Sequence, residues 1–371
     1  MAVFEICVVI GTRPEAIKLA PLIRQFRRDE RFECRVVLTG QHREMVDQVM
    51  RQFDLRADRD LDIMQPGQSL AEITSRSLLG LDSALAEIRP DLVVVQGDTT
   101  TAFAASLAAF YRNIEVAHVE AGLRTDTPRD PFPEEANRRL ISQLAALHFA
   151  PTEAAVRNLE HSGVFGRVLM TGNTVVDALL EMAARAPACD IPGLDWARYR
   201  VVLATIHRRE SWGKRLEQIA RAMLTLLERH QDLAFLLPLH RNPSVREPLQ
   251  AMLGHHERAF LVEPLDYAAL VGAVQRCYML MTDSGGLQEE APSLGKPVLV
   301  LRNTTERPEA VEAGTARLVG TETDAIEAAA TLLLTDPAQY AAMAQHSNPF
   351  GDGHASERIV AAIARFLETS E

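Results

Sequence analysis

Several familiar signals are scarce or missing in this 371-residue chain, among them cysteine, excess positive charge and long apolar runs. The four cysteines, Cys7, Cys34, Cys189 and Cys277, have neither metal-finger spacing nor the density of a disulfide scaffold, so they read as reduced structural thiols. A net charge of −11 and a pI near 5.5 leave no general basic surface for nucleic acid or a membrane, so any anion site must be local. No apolar stretch is long enough to span a bilayer, and the N-terminus enters a strand-like segment without a basic leader. A cytoplasmic location is therefore expected. The chain has no G-x-G-x-x-G and no P-loop Lys-Ser/Thr pattern, which disfavours bound NAD and kinase chemistry. Its histidines, the His255-His256 pair included, lack partners at metal-ligand spacing. Neither a cofactor nor a metal is expected.

What is present is an α/β pattern. Apolar runs of strand length alternate with segments of helical period, as in parallel sheets covered on both faces. The predicted strands are 4–10, 34–38, 92–96, 116–119, 201–205, 234–237, 278–281 and 298–301. They fall into two groups, with the Pro- and Ala-containing stretch 186–194 as the best linker. The halves echo each other: ICVVIGTRPEAIKLAPLI and VVLATIHRRESWGKRLEQIARAML both run strand, basic loop, amphipathic helix. Two Rossmann-like doubly wound domains facing across a cleft are expected, over 1–172 and 173–355, with 356–371 a C-terminal helix that could pack on either. In open parallel sheets, ligands sit beyond the carboxyl ends of the strands.

The most informative stretch is TDSGGLQEEAPSLGKPVLVLRNTTERPEA, Thr282 to Ala310. Small residues in Ser284-Gly285-Gly286 let backbone N–H groups approach an anion, and a helix N-terminus is expected to follow. Arg302, Arg307 and Glu290 lie close by in sequence; Glu290 could accept from a ribose hydroxyl. Arg13 and Lys18 flank the first strand-helix turn, where Pro14 and Glu15 suit the first helical turn. That turn could hold a phosphate.

Carboxylates gather in the first half. Asp98 follows LVVVQG and precedes three threonines; its ordinary role would be helix capping. Glu120 ends a second strand, where a carboxylate has little local purpose. Glu134 and Glu135 open a helix, where acids are common. Three acids at one end of one sheet would raise one another's pKa values, which suits general acid/base work. In the second half, His207 stands beside Arg208 and Arg209 at a strand terminus, and His240 ends the next strand. That setting suits anion contact or stabilisation of a leaving group.

Taken together, GTRPEAIKLAPL, TGQHREM, QGDTTTAFAASLAAF, HVEAGLRT, PEEANR, GNTVVDAL, HRRES, TDSGGLQEEAPSLGKPVLVLR, TTERPEAVEAGT and NPFGDG resemble the non-hydrolysing bacterial UDP-N-acetylglucosamine 2-epimerases. The resemblance spans nearly the whole chain in motif order. It implies a GT-B fold, a homodimer, and reversible conversion of UDP-GlcNAc to UDP-ManNAc for surface polysaccharide. It places catalytic roles at Asp98, Glu120, Glu134 and His207, and UDP-sugar binding at Arg13, Lys18, His207, Ser284, Gly285, Gly286, Glu290 and Arg307. Leu270 stands where many relatives carry a Phe near the uracil. Some members bind a second UDP-GlcNAc as activator, and the matching positions include Gln41, Gln68, Arg208 and His240. The alternatives on the residues alone are a GT-B UDP-sugar glycosyltransferase, an epimerase that hydrolyses its product, and a non-catalytic UDP-sugar-binding protein.

Overall fold

The computed structural model describes residues 3–40, 43–65 and 67–369, without the side chains of residues 43 and 44. Seven strands form the first sheet: β1 (Phe4–Ile10), β2 (Phe32–Leu38), β3 (Arg59–Asp60), β4 (Leu92–Gln96), β5 (Glu115–Val119), β6 (Leu147–Ala150) and β7 (Arg167–Met170). Six form the second: β8 (Arg200–Thr205), β9 (Leu233–Pro238), β10 (Ala259–Val262), β11 (Met279–Thr282), β12 (Val298–Val300) and β13 (Ala316–Leu318). The spatial orders are β3-β2-β1-β4-β5-β6-β7 and β10-β9-β8-β11-β12-β13, and every pairing is parallel.

Both orders are doubly wound, as the alternating pattern predicted. In each sheet the winding reverses between two neighbouring strands, β1 and β4 in one and β8 and β11 in the other. Helices leave a reversal point in opposite directions, so the loops after those strands stand apart and leave room for a ligand. The loops at these two points begin at Gly11, Gly97, Ile206 and Asp283, which places the candidate residues there.

The chain divides into two compact units, 1–178 with 351–371, and 179–350. Each has its own core. Cys7, Val9, Val93, Val95 and Val116 pack under the alanine-rich helix Thr100–Tyr111 in the first. Val202, Phe235, Leu237, Met279 and Met281 pack beneath the helix Lys214–Arg229 in the second. All four cysteines are buried and unbridged. The chain passes between the units inside the helix Thr174–Ala184, ahead of the stretch read as a linker. That stretch is docked in the second unit instead. Gln275 and Arg276 donate to the carbonyls of Ala183 and Cys189, and a Cβ on Gly272 would lie 2.6 Å from the Pro187 carbonyl. The last helix, Ala355–Glu368, belongs to the first unit.

Five strands were not foreseen, and four of them, β3, β7, β10 and β13, are the sheet edges. Edge strands here are two to four residues long and only partly covered, and the longest apolar run among them, AFLV in β10, is just four residues. The fifth, β6, is fully buried but carries His148, which breaks its apolar run.

Candidate functional site

In the first unit, the turn after β1 is held from within. Thr12 and Glu15 make a capping box at the start of the helix Arg13–Arg28, and Pro14 stands in its first turn. Glu15 is 1% exposed and does more than cap. Its carboxylate accepts from the N–H groups of Gly11 (3.1 Å) and Thr12 (2.5 Å) and from the Thr99 hydroxyl (2.7 Å). Burial pushes its pKa up to about 7 against the opposing pull of those bonds. Glu15 thereby ties the turn carrying Arg13 to the turn carrying Asp98.

Helix capping after β4 falls to Thr99, whose hydroxyl accepts from Ala102 N–H at 3.0 Å. Asp98 is thus released from the role its position first suggested. Its carboxylate instead meets the Arg138 guanidinium at 2.7 and 2.8 Å, and its carbonyl accepts from the Asn137 amide at 2.9 Å. Both partners sit on the helix Glu134–Ser142, so that helix positions Asp98.

Glu120 follows β5 with φ +60, a left-handed conformation uncommon for a residue with a Cβ. Its buried carboxylate accepts from Lys18 Nζ at 2.5 Å and from the Gln96 side-chain amide. Lys18 lies on the helix after β1 and Gln96 ends β4, so three consecutive neighbours of the sheet converge on this one carboxylate. Lys18, which the resemblance places in UDP-sugar binding, is in the structure a partner of Glu120. Nearby, the ring of buried His118 meets the Gly97 carbonyl at 2.7 Å; burial holds its pKa down at about 3.

The adjacent glutamates Glu134 and Glu135 separate cleanly. Glu135 is buried and engaged by Arg138, Arg139 and Thr125 N–H, so it is an anchor for its helix. Glu134 is half-buried and, among the described residues, its side chain makes no hydrogen bond or ion pair. Its carboxylate is the available one of the pair.

In the second unit, Thr205 and Thr282 pair at the ends of β8 and β11, with their hydroxyls 2.5 Å apart. The residues after them leave the sheet side by side, which brings His207 and Asp283 together. Their Nδ1 and Oδ1 atoms are 2.9 Å apart, while the His207 ring is 40% exposed on its side chain. The His240 ring lies 6.3 Å from that of His207, centroid to centroid.

Ser284, Gly285 and Gly286 lie at the carboxyl end of β11 as expected, but the helix that the two glycines open, Gly285–Glu290, has only six residues and runs into a 3₁₀ turn. So short a helix has little macrodipole, and the local donors are single N–H groups and the Ser284 hydroxyl. Arg208 stands near: its guanidinium would lie 3.8 Å from a Cβ on Gly285. Glu290 accepts from the Tyr267 hydroxyl at 3.2 Å, and Leu270, three residues along the same helix, shares the Tyr267 face. Arg307 donates to buried Glu289. Arg302 is paired with Glu210 at 2.5 Å and reads as structural.

Of the four positions matched to an activator site, Gln41 lies outside the described residues. The amide of Gln68 is folded into its own turn, accepting from Gln65 N–H at 2.7 Å and donating to the Ile63 carbonyl at 3.0 Å. Arg208 and His240 lie in the second unit near His207. Sequence reasoning passed over Glu15, Gln96, Arg138 and Asp283 as site residues. The only signal for Asp283 was its place immediately before the Ser-Gly-Gly turn. Among the described residues no cluster of three or more His, Cys, Asp or Glu could hold a metal, and no helix is long and apolar enough to cross a membrane.

Comparison with known proteins agrees with these motifs. The family model described as UDP-N-acetylglucosamine 2-epimerase matches residues 24–364. This chain belongs to that family. An Escherichia coli K12 UDP-N-acetylglucosamine 2-epimerase is 50% identical over 374 residues, covering 97% of this chain and 98% of the relative. The Neisseria meningitidis enzyme, solved bound to UDP-GlcNAc, is 46% identical with a TM-score of 0.88, over 97% of this chain and all of that one. A Listeria monocytogenes structure, described as a putative UDP-N-acetylglucosamine 2-epimerase, is 45% identical with a TM-score of 0.93, over all of this chain and 98% of its own. Family membership also carries the enzyme class read from the motifs, an isomerase.

Proposed function

We propose that the protein interconverts UDP-GlcNAc and UDP-ManNAc by eliminating UDP to form 2-acetamidoglucal and adding it back. The C2 hydrogen of the sugar is not α to a carbonyl, so removing it alone would leave an unstabilised carbanion. Elimination avoids this. The C2–H electrons become a C1=C2 double bond, the proton passes to a carboxylate, and the C1–O pair leaves with UDP. Return of a proton to the opposite face of C2 and of the phosphate oxygen to C1 gives the epimer.

The observation that carries this reading is the set of acids at the carboxyl end of one sheet, with Asp98 and Glu120 each held by a cation and Glu134 left without one. Each proton transfer by such a group contributes roughly 10²- to 10⁴-fold. We assign removal of the C2 proton to Glu120 or Asp98, and the opposite face or a sugar hydroxyl to Glu134. His207, Arg13, Lys18, Ser284, Gly285, Gly286, Glu290, Leu270 and Arg307 form the proposed UDP-sugar set, with His207 serving the departing phosphate. The pairing of Lys18 with Glu120 makes that lysine serve the carboxylate as well as the substrate.

Placement in the cytoplasm, supply of ManNAc units for surface polysaccharide and a homodimeric state complete the proposal. Exposed Phe110, Tyr111 and Phe165 on the first unit are apolar surface that a second copy would cover. An activator subsite from Gln41, Gln68, Arg208 and His240 belongs to it too, supported by the nearness of His240 to His207.

Proton NMR of the purified protein with UDP-GlcNAc in D₂O tests the reaction. Growth of UDP-ManNAc with deuterium at C2 of both sugars is the expected result; free ManNAc with UDP would mean hydrolysis, and unchanged substrate would favour transfer or binding. Glu134→Gln should slow the exchange by on the order of 10²-fold or more. Full-rate exchange would remove Glu134 from proton transfer.

A further inference from the structure

Asp283 is wholly buried, and four donors converge on its carboxylate. Its carboxylate accepts from His207 N–H at 3.0 and 3.1 Å, from Arg208 N–H at 2.9 Å and from the Ser211 hydroxyl at 3.1 Å. Its own N–H donates to the Thr205 carbonyl at 3.2 Å. The fourth donor is the His207 ring, through Nδ1 at 2.9 Å. Burial alone would push the carboxyl pKa up, but the bonds from the His207 side chain and the two N–H groups outweigh it and hold the group below the usual range. An ionised carboxylate has no proton to give.

The proton between these two atoms must therefore sit on Nδ1. That leaves Nε2, which among the described residues has no hydrogen-bond partner, as the nitrogen with a free lone pair. We propose that Asp283 is a positioning residue that fixes His207 as its Nδ1–H tautomer, so that the ring takes up and returns a proton only through Nε2. The proposal rests on the role given to His207 above and deepens it. When Nε2 is protonated, the imidazolium faces a buried anion on one side, which stabilises it without moving the proton to Asp283. Of the other titratable and charged groups, His240 has its ring 6.3 Å from that of His207, centroid to centroid, and Arg208 is the next residue in sequence.

A purely structural role would make Asp283 only an anchor for the backbone of residues 207 and 208. Asp283→Asn separates the two roles. The asparagine oxygen can still accept from those N–H groups, but its NH₂ would face Nδ1 and force the opposite tautomer. Turnover should fall by on the order of 10²- to 10⁴-fold, with KM within a few-fold of the parent. An anchor alone predicts a change in KM together with kcat, or no change in either.

The direct readout is the ring itself. In the full-length protein labelled with ¹⁵N-histidine, long-range ¹H–¹⁵N spectra at pH 8 distinguish the tautomers, and the signal missing from His207→Gln identifies His207. The expected parent spectrum has Nδ1 protonated and Nε2 unprotonated, reversed in Asp283→Asn. A parent ring protonated at Nε2 would overturn the proposal, as would Asp283→Asn with the tautomer and turnover unchanged. If Asp283→Asn does not fold, the parent spectrum still decides the tautomer. If His207→Gln retains full turnover while the parent is the Nδ1–H form, the functional role of His207 fails and the assignment of Asp283 as the group fixing the ring survives.

Discussion

Glu15 shows how one side chain serves two candidate turns. It holds the Arg13 turn through Gly11 and Thr12 and the Asp98 turn through Thr99, and it does so from a site that disfavours its charge. Its folded pKa, about 7, lies above the usual 4.5, so the native state binds this proton more tightly than the unfolded chain. The contribution is complete below about pH 4.5 and is lost as pH rises through 7, an effect of up to about 3 kcal/mol. Glu15→Gln, which cannot ionise, should therefore gain on the parent between pH 5 and pH 8. Denaturant unfolding at both values measures this, and a parent-to-variant difference that does not move with pH would contradict it. Glu120 makes a complementary point. Its left-handed backbone is a local cost, accepted where Lys18 and Gln96 can both reach its carboxylate.

Between elements, the backbone approaches decide where these side chains end up. Gly122, two residues after Glu120, has φ +94, and a Cβ there would lie 2.3 Å from the Ala155 carbonyl on the helix Glu153–His161. Asn158 of that helix also donates to the Gly122 carbonyl at 3.0 Å. Gly122→Ala would combine a left-handed backbone with overpacking, for a cost of about 2–4 kcal/mol. A clear fall in Tm is expected, with weaker activity in whatever folds because the Glu120 turn must shift. An unchanged Tm would mean that the helix yields without resistance. Gly11 has the same kind of constraint against the helix Thr100–Tyr111, since a Cβ there would be 2.3 Å from the Thr101 hydroxyl. Close approach of two helices to the strand ends is thus what compacts the acid-bearing loops.

For the molecule as a whole, the chain leaves the first unit and later returns to it, and Asp177 joins the two ends of that excursion. It lies just before the departure and accepts from the N–H groups of Ala355 and Ser356, at 3.2 and 2.7 Å, just after the return. Those are first-turn N–H groups of the last helix, whose N-cap residue His354 makes no side-chain cap. Asp177→Ala would leave them unpaired, costing about 1–2 kcal/mol. Hydrogen exchange should show faster exchange along Ala355–Glu368, and unchanged protection there would mean that apolar packing alone holds the helix.

Much of this was legible in the residues themselves. The long apolar strands, the basic turns after β1 and β8, the acids at 98, 120 and 134 and the Ser-Gly-Gly turn all carry local signals: a run, a period or a spacing. The same signals supported the α/β class and the family. Pairing was not legible. Nothing local distinguishes Glu134 from Glu135, ties Lys18 to Glu120 across 102 residues, or brings Asp283 to His207 across 76. The edge strands and the docking of 186–194 were hidden for the same reason, because their stability comes from neighbours rather than from their own pattern. Sequence by itself determined which chemical groups stand at the ends of which strands, since strand ends follow from local hydrophobic periodicity. Only the tertiary structure decided which of them are neutralised, buried or left available, because charge pairing and desolvation depend on what parallel strands distant in sequence bring side by side.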